Sequence, residues 1–319
     1  MAVLFGGRSG EHAVSLASAH SVLGAVDRER YELTEIGITT DGHWLSGEKT
    51  LDTFFSGSTG RLHGAAILPD PGFDGLYQFE SEGGRNFLKL LSELDIVFPV
   101  LHGTFGEDGT IQGLLELANI AYVGAGVTAS AVGMDKGIFK DVMRAHGIPV
   151  VPSAVILRSV FERDPQGAVE IAESVGSYPL FTKPTNLGSS VGVTKCRSRS
   201  DLLEGLMDAA RFDRRILVEV GIDAREIEVS VLGNDDPTVS LAGEILPAGD
   251  FYTYAAKYHN KDSELIIPAP LSAALAEKVA RMAVQAFKAI DGAGLARVDF
   301  LLDRRDDRLY LSELNTMPG

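Results

Sequence analysis

Short apolar bursts alternate with helix-spaced segments through the first third of the chain. Ala2-Val3-Leu4-Phe5 runs into Gly6-Gly7 and reads as a strand, Val14 to Val26 has helical periodicity, and Tyr31 to Thr39 is strand-like. A polar, glycine-rich excursion from about Asp41 to Arg85 follows, with a helix expected near Asn86 to Leu91. Then come the apolar strand Ile96-Val97-Phe98-Pro99-Val100, a helix over Gly109 to Ala118, and a short strand at Ala121-Tyr122-Val123. Strands alternating with helices predict βαβ units and a parallel sheet covered on both faces.

From about Gly126 to Glu219 the pattern changes. Strands are expected at Ala154 to Leu157, Tyr178 to Lys183, Val191 to Lys195 and Ile216 to Glu219, with a helix at Asp201 to Ala210, which describes a small α+β domain. The remainder is strand-rich around one long helix, Ala273 to Ile290. It closes on Arg297 to Leu302 and Leu311 to Asn315, joined by the charged stretch Arg304 to Arg308, polar enough to be a turn.

Composition narrows the class. With 319 residues, 45% of them apolar, the chain has room for two or three domains with their own cores. No apolar run approaches the roughly 18 residues of a membrane span, and the N-terminus reads as a strand, not as a leader. The single Cys196 fits a reducing cytosol. A net charge of −15 argues against nucleic acid and anionic membranes as partners. Any bound nucleotide must then be held by local positive charge, so lysines in clefts carry weight.

Arg297 and Asp299 are two apart, as are Glu313 and Asn315, which on strands puts both members of each pair on one face. Asp, Glu and Asn oxygens are the hard ligands that Mg²⁺ prefers, usually beside nucleotide phosphates. Lys183 ends a strand and leads into the small-residue loop Pro184 to Gly192, either a plain hairpin turn or a set of N–H groups for phosphate. Gly6 to His12 and Leu101 to Thr110 are glycine-rich strand-to-helix turns, where open α/β sheets bind ligands. There Glu11 is a first-turn acid that either complements the helix dipole or meets a ligand. His102 either bonds backbone or touches substrate, and Asp108 could cap the next helix. Tyr252 to Tyr258 leads into a polar segment, making Lys257 a candidate lid lysine. Glu219 to Glu226 is expected as an exposed strand edge able to meet an adenine, though surface acids are common.

Taken in order, seven segments resemble the ATP-grasp superfamily and, within it, the D-alanine–D-alanine ligases. They are Gly6 to His12, Leu101 to Gly113, Gly133-Met134-Asp135-Lys136, Lys183 to Gly192, Lys257-Tyr258, Arg297-Val298-Asp299 and Glu313 to Gly319. The resemblance runs through the whole chain and implies an ATP-grasp fold. An N-terminal parallel α/β substrate-binding domain (1–125) would precede a central small domain (126–219) and a catalytic domain (220–319), the last two clamping ATP. The implied reaction joins two D-alanines through an acyl phosphate, for peptidoglycan synthesis, in a cytoplasmic homodimer.

By the same resemblance Lys136 and Lys183 bind ATP phosphates, Gly188, Ser190 and Val191 belong to the loop closing over them, and Lys257 joins from a mobile loop. Glu219, Ile222 and Glu226 line the adenosine site, with Glu226 on the ribose. Asp299, Glu313 and Asn315 hold two Mg²⁺ (or Mn²⁺), Glu313 bridging. Glu11, linked by hydrogen bonds to Ser189 and Tyr258, takes the first D-alanine's ammonium, and Arg297 stabilises the oxyanion. His102 and Gly319 are expected at the substrate. Tyr258 in the Lys-Tyr pair favours D-alanine over D-lactate as second substrate. In the family the chain continues past Met-Pro-Gly and that tail contacts the second D-alanine, so the last domain reads as truncated and the 319 residues are expected to bind ATP but ligate weakly. An ATP-binding protein without catalysis is the alternative of another class. A nicotinamide oxidoreductase ranks below both, because the glycine spacing is wrong for the dinucleotide fingerprint.

Overall fold

The computed structural model describes residues 1–188, 191–246 and 264–318. They divide into two compact units, one of Met1–Ala131 with the residues from Met317, the other of Val132–Thr316.

The first unit is built on β1 (Ala2–Gly6), all of whose residues are buried. It pairs in parallel with β2 (Thr34–Ile38) on one side and β7 (Ile96–Pro99) on the other, with β8 (Ala121–Tyr122) parallel beyond β7. Side chains alternate across the strand. Ala2 and Leu4 pack with Ile36, Val97, Ile111 and Leu115, whereas Val3 and Phe5 pack with Leu16, Ala19 and Leu23 of α1 (His12–Ala25). Both faces being covered explains why the sequence shows an unbroken apolar run there. Burying one such side chain stabilises the fold by about 1.5–3 kcal/mol.

Two expectations are corrected in this unit. The excursion from Asp41 to Arg85 holds β3 (Trp44–Ser46), α2 (Thr50–Ser56), β4 (His63–Ile67) and β5 (Gly75–Glu82). The helix expected over Asn86 to Leu91 is instead β6 (Arg85–Glu93), paired antiparallel with β5. Gly83 and Gly84 take φ of 57° and 76° in a two-residue turn between Glu82 and Arg85. That backbone suits hairpin twist and overrides the helical propensity of the leucines that follow. The strands run in the order β6-β5-β4-β3-β2-β1-β7-β8. The helix expected after Gly109 is α3 (Thr110–Leu117), and α4 (Val127–Met134) follows β8.

The second unit opens with α5 (Lys136–Ala145), capped by Asp135, whose Oδ1 accepts from the N–H groups of Gly137 and Ile138, each at 3.0 Å. A four-stranded antiparallel sheet comprises β9 (Ser153–Leu157), β10 (Leu180–Pro184), β11 (Thr194–Cys196) and β12 (Arg215–Val220), in the order β11-β10-β12-β9. It is covered by α6 (Arg158–Arg163), α7 (Pro165–Glu173) and α8 (Arg199–Phe212), with Leu180, Leu202, Leu206 and Val218 in the core. The second sheet comprises β13 (Ala224–Leu232), β14 (Thr238–Val239), β15 (Gly243–Leu246), β16 (Glu264–Ile266), β17 (Leu295–Asp303) and β18 (Leu309–Asn315). Its order is β16-β15-β13-β17-β18, with β14 beside β13. The helix α9 (Ala273–Ala289) buries Val279, Met282, Ala283, Ala286 and Phe287, a stripe at helical spacing.

The pairing of β17 with β18 contains an irregularity that determines the polar face. Asp299 pairs with Glu313, but Phe300 pairs with Leu311, so Ser312 is an extra residue, a β-bulge. Before the bulge Leu309 and Leu311 lie opposite Leu302 and Phe300 on the apolar face, and after it Leu314 lies opposite Val298 on that same face. Were Ser312 to occupy a regular ladder position, Glu313 would share the side of Leu309 and Leu311. Deleting Ser312 should therefore leave the alternation intact and cost about 1 kcal/mol or less, whereas deleting Tyr310 should carry Leu309 onto the polar face at a loss of about 2 kcal/mol or more. Thermal unfolding of the two variants checks this, and equal losses would overturn the reading of the bulge.

Candidate active site

Lys183, on β10, and Glu219, on β12, meet because the strands pair antiparallel with Phe181 opposite Glu219, which makes Lys183 a diagonal neighbour on the same face. Lys183 Nζ forms an ion pair with Glu219 Oε1. A second lysine, Lys140, comes from α5 and lies 3.2 Å from Glu219 Oε2. Lys136 and Lys140 are one helical turn apart on α5, so the same helix supplies both.

The three groups are graded in depth, with side-chain exposures of 3% for Lys140, 7% for Glu219 and 19% for Lys183. Burial alone would raise the Glu219 carboxyl, but the charges of Lys140 and Lys183 hold it down at about 2. Burial pushes Lys140 below the usual lysine value, partly opposed by Glu219. Burial acts the same way on Lys183, yet Glu219, Glu313 and Glu226 together raise it. Glu219 Oε2 is buried and accepts no hydrogen bond among the described residues, although it lies within ion-pair range of Lys140.

Lys136 links this cluster to the last strand. Its Nζ donates to the Leu187 carbonyl at 2.9 Å and lies 3.7 Å from Glu313 Oε2. The base of the hairpin loop is held firmly, since Asp213 Oδ2 accepts from the Asn186 N–H at 3.0 Å and from Thr185 Oγ1 at 2.9 Å. Asp135 Oδ2 pairs with Arg215 at 2.5 Å beneath it. Lys183, the loop and the N-terminus of α5 are therefore positioned by one polar network.

On the face of β17 and β18 set by the bulge, Arg297 lies opposite Asn315 and Asp299 opposite Glu313. Arg297 donates Nε and Nη2 to the two Asp299 oxygens, each at 2.7 Å, and Nε is 3.4 Å from Glu228 Oε2 on β13. Burial would lower the Arg297 guanidinium, but Asp299, Glu228 and Glu313 raise it further. Asn315 Nδ2 donates to Asp299 Oδ2 at 3.0 Å, which leaves the amide oxygen as its atom for a cation. Two carboxylates directly across a ladder repel one another, and a divalent cation between them relieves that. The donor set of two carboxylates and an amide oxygen fits Mg²⁺ or Mn²⁺, which take the rest of their shell from water and phosphate oxygens. No cluster of three His, Cys, Asp or Glu forms among the described residues.

The first unit carries a cleft of about 250 Å³ at the carboxyl ends of its parallel strands, lined by Gly7, Arg8, Trp44, Leu101, Phe105 and Ile111 among others. It lies where the strand order reverses around β1. The Arg8 guanidinium is 4.8 Å from the centre of the Phe105 ring. Glu11 is the residue before α1 rather than a first-turn acid, and its side chain makes no cap. Gly103, with φ of 72°, leaves room for it, as a Cβ there would come within 2.5 Å of Glu11 Oε2. His102 is buried, with Nδ1 bonded to the Met317 carbonyl and Nε2 to Ser18 Oγ, both at 2.9 Å. The carbonyl partner requires the proton on Nδ1, so neutral His102 accepts from Ser18. A substrate contact by His102 would have to replace one of these bonds. Asp108 Oδ1 accepts from the Thr110 N–H at 3.0 Å, at the start of α3.

Several expected site residues thus gather within the second unit: Lys136, Lys183, Glu219, Arg297, Asp299, Glu313 and Asn315, with Glu226 close enough to act on Lys183. Ile222 is half-buried just after β12, and Gly188 and Val191 flank the loop tip. Ser189, Ser190, Lys257, Tyr258 and Gly319 lie outside the described residues. One expectation is overturned, because Glu219 is not on a strand edge: β12 is paired on both sides, with β10 and β9. Sequence reasoning missed Lys140 and Glu228. The helical repeat of Lys136 would have flagged the first, and the alternation Glu226-Ile227-Glu228 the second.

The folded carboxyl of Glu219 is depressed, so its stabilising contribution is complete above its ordinary value near 4.5 and is lost as pH falls towards about 2. The stability difference between the wild type and Glu219→Gln should therefore shrink by on the order of 3 kcal/mol between about pH 5 and pH 2. Denaturant melts across that range check it, and a constant difference would show that the carboxylate is not held by the lysines.

Comparison with known proteins places this architecture. Residues 1–125 match the family model for the D-ala D-ala ligase N-terminus, and residues 142–319 that for the D-ala D-ala ligase C-terminus. The chain is 47% identical over 318 residues to the D-alanine–D-alanine ligase of Natranaerobius thermophilus, covering 99% of this chain and 86% of that one. It is 48% identical over 319 residues to the enzyme of the same name from Heliobacterium modesticaldum, covering 100% and 86%. Among solved structures, the VanG D-Ala:D-Ser ligase from Enterococcus faecalis aligns with a TM-score of 0.87 at 32% identity, covering 100% of this chain and 90% of that one. With both halves matched and its strands arranged as an ATP-grasp fold, the chain belongs to the D-alanine–D-alanine ligase family.

Proposed function

We propose that this chain joins two D-alanines into D-alanyl-D-alanine, with ATP converted to ADP and phosphate, for peptidoglycan synthesis. The observation that carries the reading is the single polar face holding Arg297, Asp299, Glu313 and Asn315, with Lys136 bound to its edge. Residues 126–219 and 220–319 act as the two ATP-grasp domains, and 1–125 as the substrate-binding domain.

The reaction begins with the carboxylate of the first D-alanine attacking the γ-phosphate, giving an acyl phosphate and ADP. The second D-alanine's amine then attacks the activated carbonyl and phosphate leaves. Each step brings anionic groups together, so this chain's contribution is largely electrostatic. Lys136 and Lys183 hold phosphate oxygens, with Lys257 adding a third ammonium from its loop. Glu219, Ile222 and Glu226 accommodate the adenosine. Asp299, Glu313 and Asn315 hold Mg²⁺ or Mn²⁺, which when bound supplies Lewis-acid neutralisation of the phosphates. Glu11 takes the first D-alanine's ammonium, with Ser189 and Tyr258 as its partners. Arg297, already oriented by Asp299 and Glu228, meets the oxyanion of the second step. Gly188, Ser190 and Val191, in the loop after Lys183, close over the phosphates and exclude water that would destroy the acyl phosphate. His102 and Gly319 complete the substrate site. A homodimer in the cytoplasm is carried over from the family, in keeping with a lone, buried Cys196.

Product analysis tests the reading. Supplied with ATP, Mg²⁺ and D-alanine, alone or with D-lactate or D-serine, the protein should form D-alanyl-D-alanine as its main product at neutral pH. A depsipeptide or mixed dipeptide as main product would overturn the choice of second substrate. Glu313→Gln should lower turnover on the order of 100-fold and weaken Mg²⁺ dependence, while wild-type-like kinetics in that variant would remove Glu313 from the metal set.

A further inference from the structure

Lys140 has no part in the chemistry above, yet it is among the most deeply buried charged groups of the second unit. Its environment is unusual in its charge count. In direct contact one carboxylate, Glu219, faces two ammonium groups, while Glu226 and Glu313 act on Lys183 from further away. Leaving a buried charge uncompensated is strongly unfavourable, so the arrangement suits a second anion. The gradient of exposure says where that anion arrives. Lys183 is on the accessible side, whereas Lys140 is sealed behind Glu219 and reaches no solvent-facing ligand.

We propose that Lys140 is a positioning residue that neutralises Glu219 from behind, so that Lys183 is released to bind a nucleotide phosphate. The inference rests on Lys183 being a nucleotide ligand. In a two-member pair the buried Glu219 would hold Lys183 as its sole counter-ion, and each phosphate contact would have to compete with that bond. With Lys140 on Oε2 and Lys183 on Oε1, the carboxylate keeps a cation whichever way Lys183 leans. The position on α5 fits this role. Lys140 is four residues from Lys136 on a helix whose start is fixed by Asp135, so both lysines are set by the same cap.

The test is a double-mutant cycle read by calorimetric ADP binding, with steady-state kinetics for ATP and D-alanine alongside. Lys140→Met should weaken ADP binding about tenfold or more, with the KM for ATP rising in step and that for D-alanine unchanged. Lys140→Gln, which keeps an N–H donor but not the charge, should behave the same way. In a Glu219→Gln background, where Glu219 no longer competes for Lys183, Lys140→Met should change ADP affinity less than about threefold. An equal loss in both backgrounds, a loss shared by ATP and D-alanine, or a lowered Tm with unchanged ADP affinity would each overturn the proposal. Lys183→Met separates the two layers of argument. If it leaves ADP affinity unchanged, the nucleotide reading of the site fails; if it weakens binding while Lys140→Met does not, only the role of Lys140 fails.

Discussion

One extra residue in the last strand holds the catalytic face together. The three leucines of β18, Leu309, Leu311 and Leu314, all face the core, and that is possible only because Ser312 absorbs the change of parity between Leu311 and Leu314. The core requires its leucines and the bulge lets Glu313 and Asn315 stand opposite Asp299 and Arg297. Hydrophobic burial thus fixes the register, and the register fixes which polar side chains share a face. The polar face is positioned by residues that never touch a ligand.

Around that face, charges are placed in pairs that are stable before anything binds. Arg297 holds Asp299 through two parallel hydrogen bonds, Lys136 stands near Glu313, and Glu219 sits between two lysines. Each pair costs little while empty because opposite charges compensate, and each has one member turned towards the ligand side. The second unit therefore holds these cations and anions in place through contacts among its own residues. This is how a chain of net charge −15 presents a locally cationic site.

Much of this was legible from residues alone, for identifiable reasons. The run Ala2 to Phe5 reads as a doubly buried strand because both of its faces are apolar, and Arg297, Asp299, Glu313 and Asn315 read as a hard-oxygen site because each pair keeps the two-residue spacing. The bulge was not legible, since Leu311-Ser312-Glu313-Leu314 has the same composition whether or not one residue is skipped. Asn86 to Leu91 misled because leucines and a lysine suit a helix, whereas the Gly83-Gly84 turn and the partner strand β5 decide for a hairpin. Lys140 escaped notice because its importance is a matter of depth, and depth is a tertiary property. Glu219 was expected on an edge for the same reason, as its second neighbour, β9, lies more than sixty residues earlier in the chain.

The burial of the two lysines also bears on how salt acts on the encounter. Mobile ions screen the negative field of the protein surface over roughly 10 Å at moderate ionic strength, but they screen buried pairs such as Lys140 and Glu219 much less. Added salt therefore removes the repulsion that an approaching nucleotide meets and leaves largely untouched the attraction that retains it. For most nucleotide-binding surfaces, rich in exposed lysine, ionic strength slows arrival. Here the geometry inverts that relation: arrival quickens with salt, and the residence time is governed by a largely buried charge that salt screens only weakly.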